Sequence, residues 1–89
     1  MGVVFDDAKN VINIRKHGIS LQRAEDFHWT AAHYDVDDSQ DYGEVRYNVI
    51  GWLDASLYTL TFTQIGDDIR AISLRKSNPQ EQRIYADEF

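Results

Sequence analysis

Asp6-Asp7-Ala8-Lys9-Asn10-Val11-Ile12-Asn13-Ile14-Arg15-Lys16-His17-Gly18-Ile19-Ser20 decides how this chain is read. Asp6 can accept a hydrogen bond from one of the unpaired N–H groups that open a helix, so it is the natural cap. Val11 and Ile14 stand three apart with Ala8 one turn earlier, which puts them on one helix face. Arg15, Lys16 and His17 close the run, where cations meet the negative end of the helix dipole. Gly18 supplies the left-handed backbone that stops it. The pattern predicts a helix from about Asp7 to His17, with Ser20 capping a second. Lys16 and His17 are thereby set at a helix–helix corner.

Before this stretch, Val3-Val4-Phe5 reads as a short edge strand. After it, Leu21, Ala24 and Phe27 form one apolar stripe, predicting a helix from Leu21 to about His28. Thr30 to Val36 suits a short edge strand or an extended arm, and Asp37 to Gly43 a polar loop. Val45–Leu53 and Ser56–Ile65 alternate in polarity as strands do, and Gly66-Asp67 is a two-residue turn into a strand over Asp68–Arg75. Asn78 caps a final helix, with Pro79 at its first position, Glu81 at capping-box spacing, and Ile84 and Tyr85 as apolar anchors. Helices set apart from a β-meander imply an α+β fold. Two N-terminal helices and a C-terminal helix would surround an antiparallel sheet of three to five strands and cover one of its faces. The covered face should carry Val45, Tyr47 and Val49, then Tyr58, Leu60 and Phe62, then Ile72 and Leu74.

Eighty-nine residues suit a single domain spanning 1–89, and 43% hydrophobic content suits a folded one. The absence of cysteine excludes disulfides and thiolate metal sites. With no long apolar run and no basic-then-apolar leader, a cytoplasmic protein without a membrane partner is expected. The net charge of −6 argues against a general nucleic-acid binder. Asp35, Asp37, Asp38, Asp41 and Glu44 crowd one segment, either a solvated loop or a surface for a basic partner. Those aspartates lack the glycine and twelfth-position glutamate of a calcium loop, and His28 and His33 lack the spacing of a helical zinc pair, so no metal and no cofactor are expected.

If the alternation holds, Arg46, Asn48, Thr59, Thr61, Thr63, Ser73 and Arg75 share the uncovered sheet face. A solvated polar face explains such a set on pattern alone. Two arginines among hydroxyls also suit phosphate, because the planar guanidinium pairs two oxygens at once. Strict spacing sends Arg70 to the opposite side, towards Asp67 or Asp68. His17 serves either as a helix-end cation or as a group that moves a proton. Lys9 and Asn13, one turn apart, read as a surface pair or as the side that meets a partner, with surface structure preferred. Tyr85 packs in the core or turns its hydroxyl to the cleft.

Asp-x-Ala-Lys-Asn-x-x-Asn-x-x-Lys-His-Gly-Ile-Ser resembles the opening signature of the BrnT family, the toxin half of bacterial toxin–antitoxin pairs. Glu44-Val45-Arg46, Gly51, Ile69-Arg70-Ala71-Ile72-Ser73-Leu74-Arg75-Lys76, Glu81 and Tyr85 extend the resemblance along nearly the whole chain. It implies a RelE-like ribonuclease fold that cuts RNA on a concave sheet face. It also implies silencing by a BrnA-like antitoxin with a ribbon-helix-helix part, DNA being met only through that antitoxin. A heterotetramer is one assembly it allows. The sequence departs from the family pattern where Asn78-Pro79 replaces a Thr and a basic residue, and in lacking an Asp-Pro-like turn between His28 and His33.

The leading expectation is therefore a metal-independent endoribonuclease toxin. His17, Arg46, Arg75 and Tyr85 are its candidate catalytic residues. Lys16, Asn48, Arg70, Ser73 and Lys76 are its candidate phosphate contacts. Arg46 and Arg75 should project side by side and form the anion clamp. The alternative is a catalytically inactive toxin-like binding module acting only through its antitoxin, which the acidic net charge favours. In either case an acidic surface over Asp35–Glu44 should hold the basic partner.

Overall fold

A computed structural model describes all of residues 1–89. Its strands are β1 (Val3–Val4), β2 (His33–Asp37), β3 (Arg46–Leu53), β4 (Ser56–Ile65) and β5 (Asp68–Lys76). The α-helices are α1 (Asp7–His17) and α2 (Pro79–Glu88), and two 3₁₀ segments span Leu21–Asp26 and Trp29–Ala31. The strands form one sheet in the order β1-β5-β4-β3-β2. β1 runs parallel to β5, so the sheet is mixed, where the meander alone implied an antiparallel one. The fold is α+β.

α1 starts and stops as its sequence dictates. The Asp6 carboxylate accepts the Lys9 N–H at 2.9 Å, and Gly18 turns left-handed at φ 71°. Its packing is not the one the spacing suggests. Val11 and Ile14 are 47% and 45% exposed, and only Asn13 is buried. Two amides hold the helix instead. Asn10 Oδ1 accepts the Leu21 N–H at 2.7 Å and the Ser20 hydroxyl at 3.3 Å. Asn13 Nδ2 donates to the carbonyls of Leu74 and Ile19, each at 2.9 Å, while Oδ1 accepts the Leu74 N–H at 3.1 Å. Asn13 is thus no surface residue. It pairs with the edge of β5 at Leu74, four residues beyond Arg70, the last residue that β1 covers.

The second expected helix is a 3₁₀ segment that ends at Asp26, not an α-helix reaching His28. Leu21, Ala24 and Phe27 recur every three residues, which is the 3₁₀ repeat, and all three sink into the core. They cover Val49, Leu53, Leu60, Phe62, Ile69, Ala71 and Leu74 on one sheet face. Gly51 lies beneath them, and a Cβ there would stand 3.0 Å from Phe27 Cζ.

The expectation that all helices cover one face fails at α2. α2 crosses the opposite face, where Tyr85 meets Trp52 edge-on at 6.3 Å and Glu81 bonds Arg75. Ile50 and Thr59 are buried on that side. Two further members of the expected core are displaced. Val45 precedes β3 and is 57% exposed. Ile72 is the extra residue of a bulge, because Thr61 pairs with Ser73 while Phe62 pairs with Ala71. The bulge resets the alternation of β5, so Ile69 and Ala71 enter the core in its place.

Candidate functional site

Register fixes what shares the face opposite the core. Thr59 lies between Arg75 and Ile50, and Thr61 between Ser73 and Asn48. Thr63 follows with Arg70 on β5, and Arg46 comes next on β3. Arg70 therefore joins Arg46 on this face, contrary to strict alternation, because the bulge at Ile72 flips it across. Nor does Arg70 pair with Asp67 or Asp68; the Asp68 carboxylate accepts the Gly2 N–H at 2.7 Å.

Both guanidiniums close on one acid. Glu44 Oε2 accepts Arg46 Nε at 3.1 Å and Arg70 Nη2 at 2.6 Å, and Oε1 accepts Arg70 Nη2 at 2.7 Å. Arg46 also stacks over the Tyr42 ring, 3.9 Å from its centre. First Arg70 and then Arg46 hold the Glu44 carboxyl below its usual range. The Tyr42 hydroxyl in turn donates to Asp37, whose carboxyl is lowered chiefly by the Ser39 hydroxyl and N–H.

Arg75 stands in a different place. Its guanidinium makes two parallel bonds to Glu81, at 2.7 and 2.9 Å, beneath the N-terminus of α2. Thr59 and Thr63 are four residues apart, so the rows of Arg75 and Arg46 are separated by roughly 13 Å along β4. The expected side-by-side clamp of Arg46 and Arg75 is not formed; the arginine pair on this face is Arg46 with Arg70. Tyr85 is buried, and its hydroxyl donates to the Ala31 carbonyl at 2.7 Å. Asn48 accepts the Thr61 hydroxyl at 2.6 Å. Lys76 lies at the far end of β5, in a hollow with Trp52, Ser77 and Gln82.

His17 and Lys16 do meet a third expected residue. They and Ser73 line a hollow of about 170 Å³ between α1 and β5, with Ile12 and Ile72 as its apolar walls. Lys9, which its place beside Asn13 marked as surface structure, completes it. Lys9 also borders the next hollow, of about 230 Å³, with Arg70 and Asp6. The spacing of Lys9 and Lys16 was the available signal: seven residues make two helical turns and return to the same face. Nitrogen-bearing side chains thus run from Lys16 and His17 past Lys9 to Arg70 and, across Glu44, to Arg46, with Asp6 beside them. The other two histidines stand elsewhere; His33 pairs with Glu88, and His28 opens the turn before Trp29. No helix is long and apolar enough to cross a membrane.

A search among curated proteins found no match. The family model described as ribonuclease toxin, BrnT, of type II toxin-antitoxin system matches residues 5–81. That span begins before α1, takes in Lys9, Lys16, His17, Arg46 and Arg70, and ends on Glu81, the partner of Arg75. This chain belongs to the BrnT family of ribonuclease toxins of type II toxin–antitoxin systems.

Proposed function

We propose that this chain is an active, metal-independent endoribonuclease whose cutting site is the hollow between α1 and β5. The observation that carries it is the meeting of Lys9, Lys16, His17 and Ser73 around one opening. In such cleavage the RNA 2′-oxygen attacks its own phosphorus and the bond to the 5′-oxygen breaks. One proton leaves the 2′-hydroxyl and one reaches the departing 5′-oxygen, giving a 2′,3′-cyclic phosphate and a 5′-hydroxyl. His17 moves a proton in this step, and Lys16 and Lys9 neutralise the charge that builds on the phosphate. Arg70 and Arg46 receive the neighbouring phosphate, and Ser73 donates a single bond to the backbone. Arg75 and Tyr85 serve by fixing α2, and Asn48 and Lys76 border this run of side chains. Metal independence is proposed from the polar lining of the hollow itself, which is lysine, histidine, asparagine and serine.

The fold is taken to be RelE-like and the partner a BrnA-like antitoxin. They assemble in the cytoplasm, with a heterotetramer as the proposed complex. A second reading, a binding module that no longer cuts, draws support from Glu44, which occupies the two guanidiniums that a phosphate would need.

Purified protein incubated with a labelled RNA in EDTA separates the two. The expected result is fragments ending in cyclic phosphate, with cutting reduced about 10²-fold or more in His17→Ala and in Lys16→Ala. Unchanged cutting in both variants would falsify the site. Absence of cutting by the folded parent chain would leave the binding module.

A further inference from the structure

β2 ends the sheet, and no strand lies beyond it. Its two sides differ sharply. Tyr34 and Val36 point to the core side and are 49% and 54% exposed. Asp35 and Asp37 point to the other side, followed by Asp38 and Asp41. Next to Tyr34 the core side continues as an apolar groove of about 300 Å³, lined by Phe62, Ile69, Trp29 and Met1. Trp29 stacks on Tyr34 at 6.4 Å, and the Tyr34 hydroxyl donates to the Trp29 carbonyl at 2.7 Å, so this wall is braced. The edge itself is lightly closed. The Val36 N–H donates to Oδ1 of its neighbour Asp35 at 3.0 Å, a bond that another acceptor can replace.

We propose that the outer edge of β2 takes an extended segment of a partner protein as a sixth strand, one in which basic and apolar residues alternate. Its apolar side chains lie against Tyr34 and Val36 and lengthen the groove; its basic ones lie against Asp35 and Asp37. Backbone bonds supply the affinity and the alternating side chains the selectivity. Charge chooses the occupant. A second copy of this chain would bring Asp35 and Asp37 against like charges, and RNA meets the same repulsion. A cationic strand is drawn in by the field that repels the others. Family membership makes the antitoxin the source of that segment, and only this last step rests on the reading above.

The test uses the intact, isotope-labelled chain and a synthetic octapeptide alternating Lys and Val, at low salt. The expected result is slowed exchange of the Tyr34 and Val36 amides. Binding should be at least about tenfold tighter than for an octapeptide alternating Glu and Val, and the gap should narrow as salt rises. Asp35→Lys, at an exposed site, should abolish the preference, and Val36→Pro should remove binding by deleting the edge donor. Equal binding of the two peptides, no binding, shifts centred on α1, or an Asp35→Lys variant that binds like the parent each overturn the proposal. RNA cutting is scored on the same sample. A chain that cuts RNA but ignores the Lys peptide loses this interface alone. One that binds at β2 but never cuts loses the ribonuclease reading alone.

Discussion

Arg75 and Glu81 are joined by two parallel N–H···O bonds that tie β5 to the first turn of α2. The same carboxylate accepts the Asn78 N–H at 2.8 Å, so one side chain closes both the cap and the bridge. Burial pushes the Glu81 carboxyl up, but Arg75 and the Asn78 N–H outweigh it and the net direction is down. A carboxyl lowered by folding stabilises above its unfolded value and loses that contribution as the pH falls through its folded value. Glu81→Gln should therefore unfold more easily than the parent at pH 7, by about 1–2 kcal/mol given the partial exposure of the pair. The gap should begin to narrow as the pH falls to about 4.3, the unfolded value, and close only below the lowered folded value. Urea denaturation of both proteins across that range checks it.

Asn13 takes the place of a neighbouring strand at Leu74. Asn13→Ala leaves the Leu74 N–H and carbonyl without partners and frees α1 from the sheet. The expected loss is about 2–4 kcal/mol, with faster hydrogen exchange at the Leu74 amide. Asn13→Asp should also destabilise, because a carboxylate cannot donate to the Leu74 and Ile19 carbonyls. Stability equal to the parent in both variants would show that α1 is held by something else.

The core offers a matched pair. Leu60 is fully buried, and Leu60→Ala should cost about 2–5 kcal/mol through the cavity it leaves. Gly51→Ala fails for the opposite reason, since its Cβ would press on Phe27 Cζ at 3.0 Å and on Ala32 Cβ at 3.1 Å. About 1–3 kcal/mol is expected there. Calorimetry of the two variants distinguishes a lost contact from a crowded one.

Glu44 competes with any phosphate for Arg46 and Arg70. Glu44→Gln should tighten RNA binding about threefold or more at low salt, with the gain fading as salt rises. Arg46→Ala and Arg70→Ala should each weaken binding. Fluorescence titration of a short RNA reads all three, and weaker binding by Glu44→Gln would mean that the acid positions the arginines and does not block them.

The caps of α1 and α2, the Gly66-Asp67 turn and most of the core were legible because each rests on chemistry within a few residues. Asn78 and Glu81 form the capping box that their spacing predicts. What escaped depended on pairings distant in sequence. Asn13 reads as a polar helix residue until Leu74, sixty-one positions away, is placed beside it. Arg70 reads as pointing inward because alternation assumes an unbroken ladder, and the bulge at Ile72 has no composition of its own to announce it. Leu21, Ala24 and Phe27 fit both helical repeats, and only burial of all three selected the tighter one. In the candidate site, His17, Lys16 and Ser73 border one hollow, whereas Arg75 is bound by Glu81 from a helix whose side of the sheet the sequence did not reveal.

The plugging of β5 by Asn13 reaches beyond α1. A sheet open at both margins can be lengthened in either direction and so copied into a fibre. Here one margin ends in a two-residue strand with a side-chain amide seated beside it, and only the other can admit a newcomer. Copies of this chain therefore cannot be strung edge to edge without limit, because a neighbour's β2 would meet only a two-residue rim at the far margin.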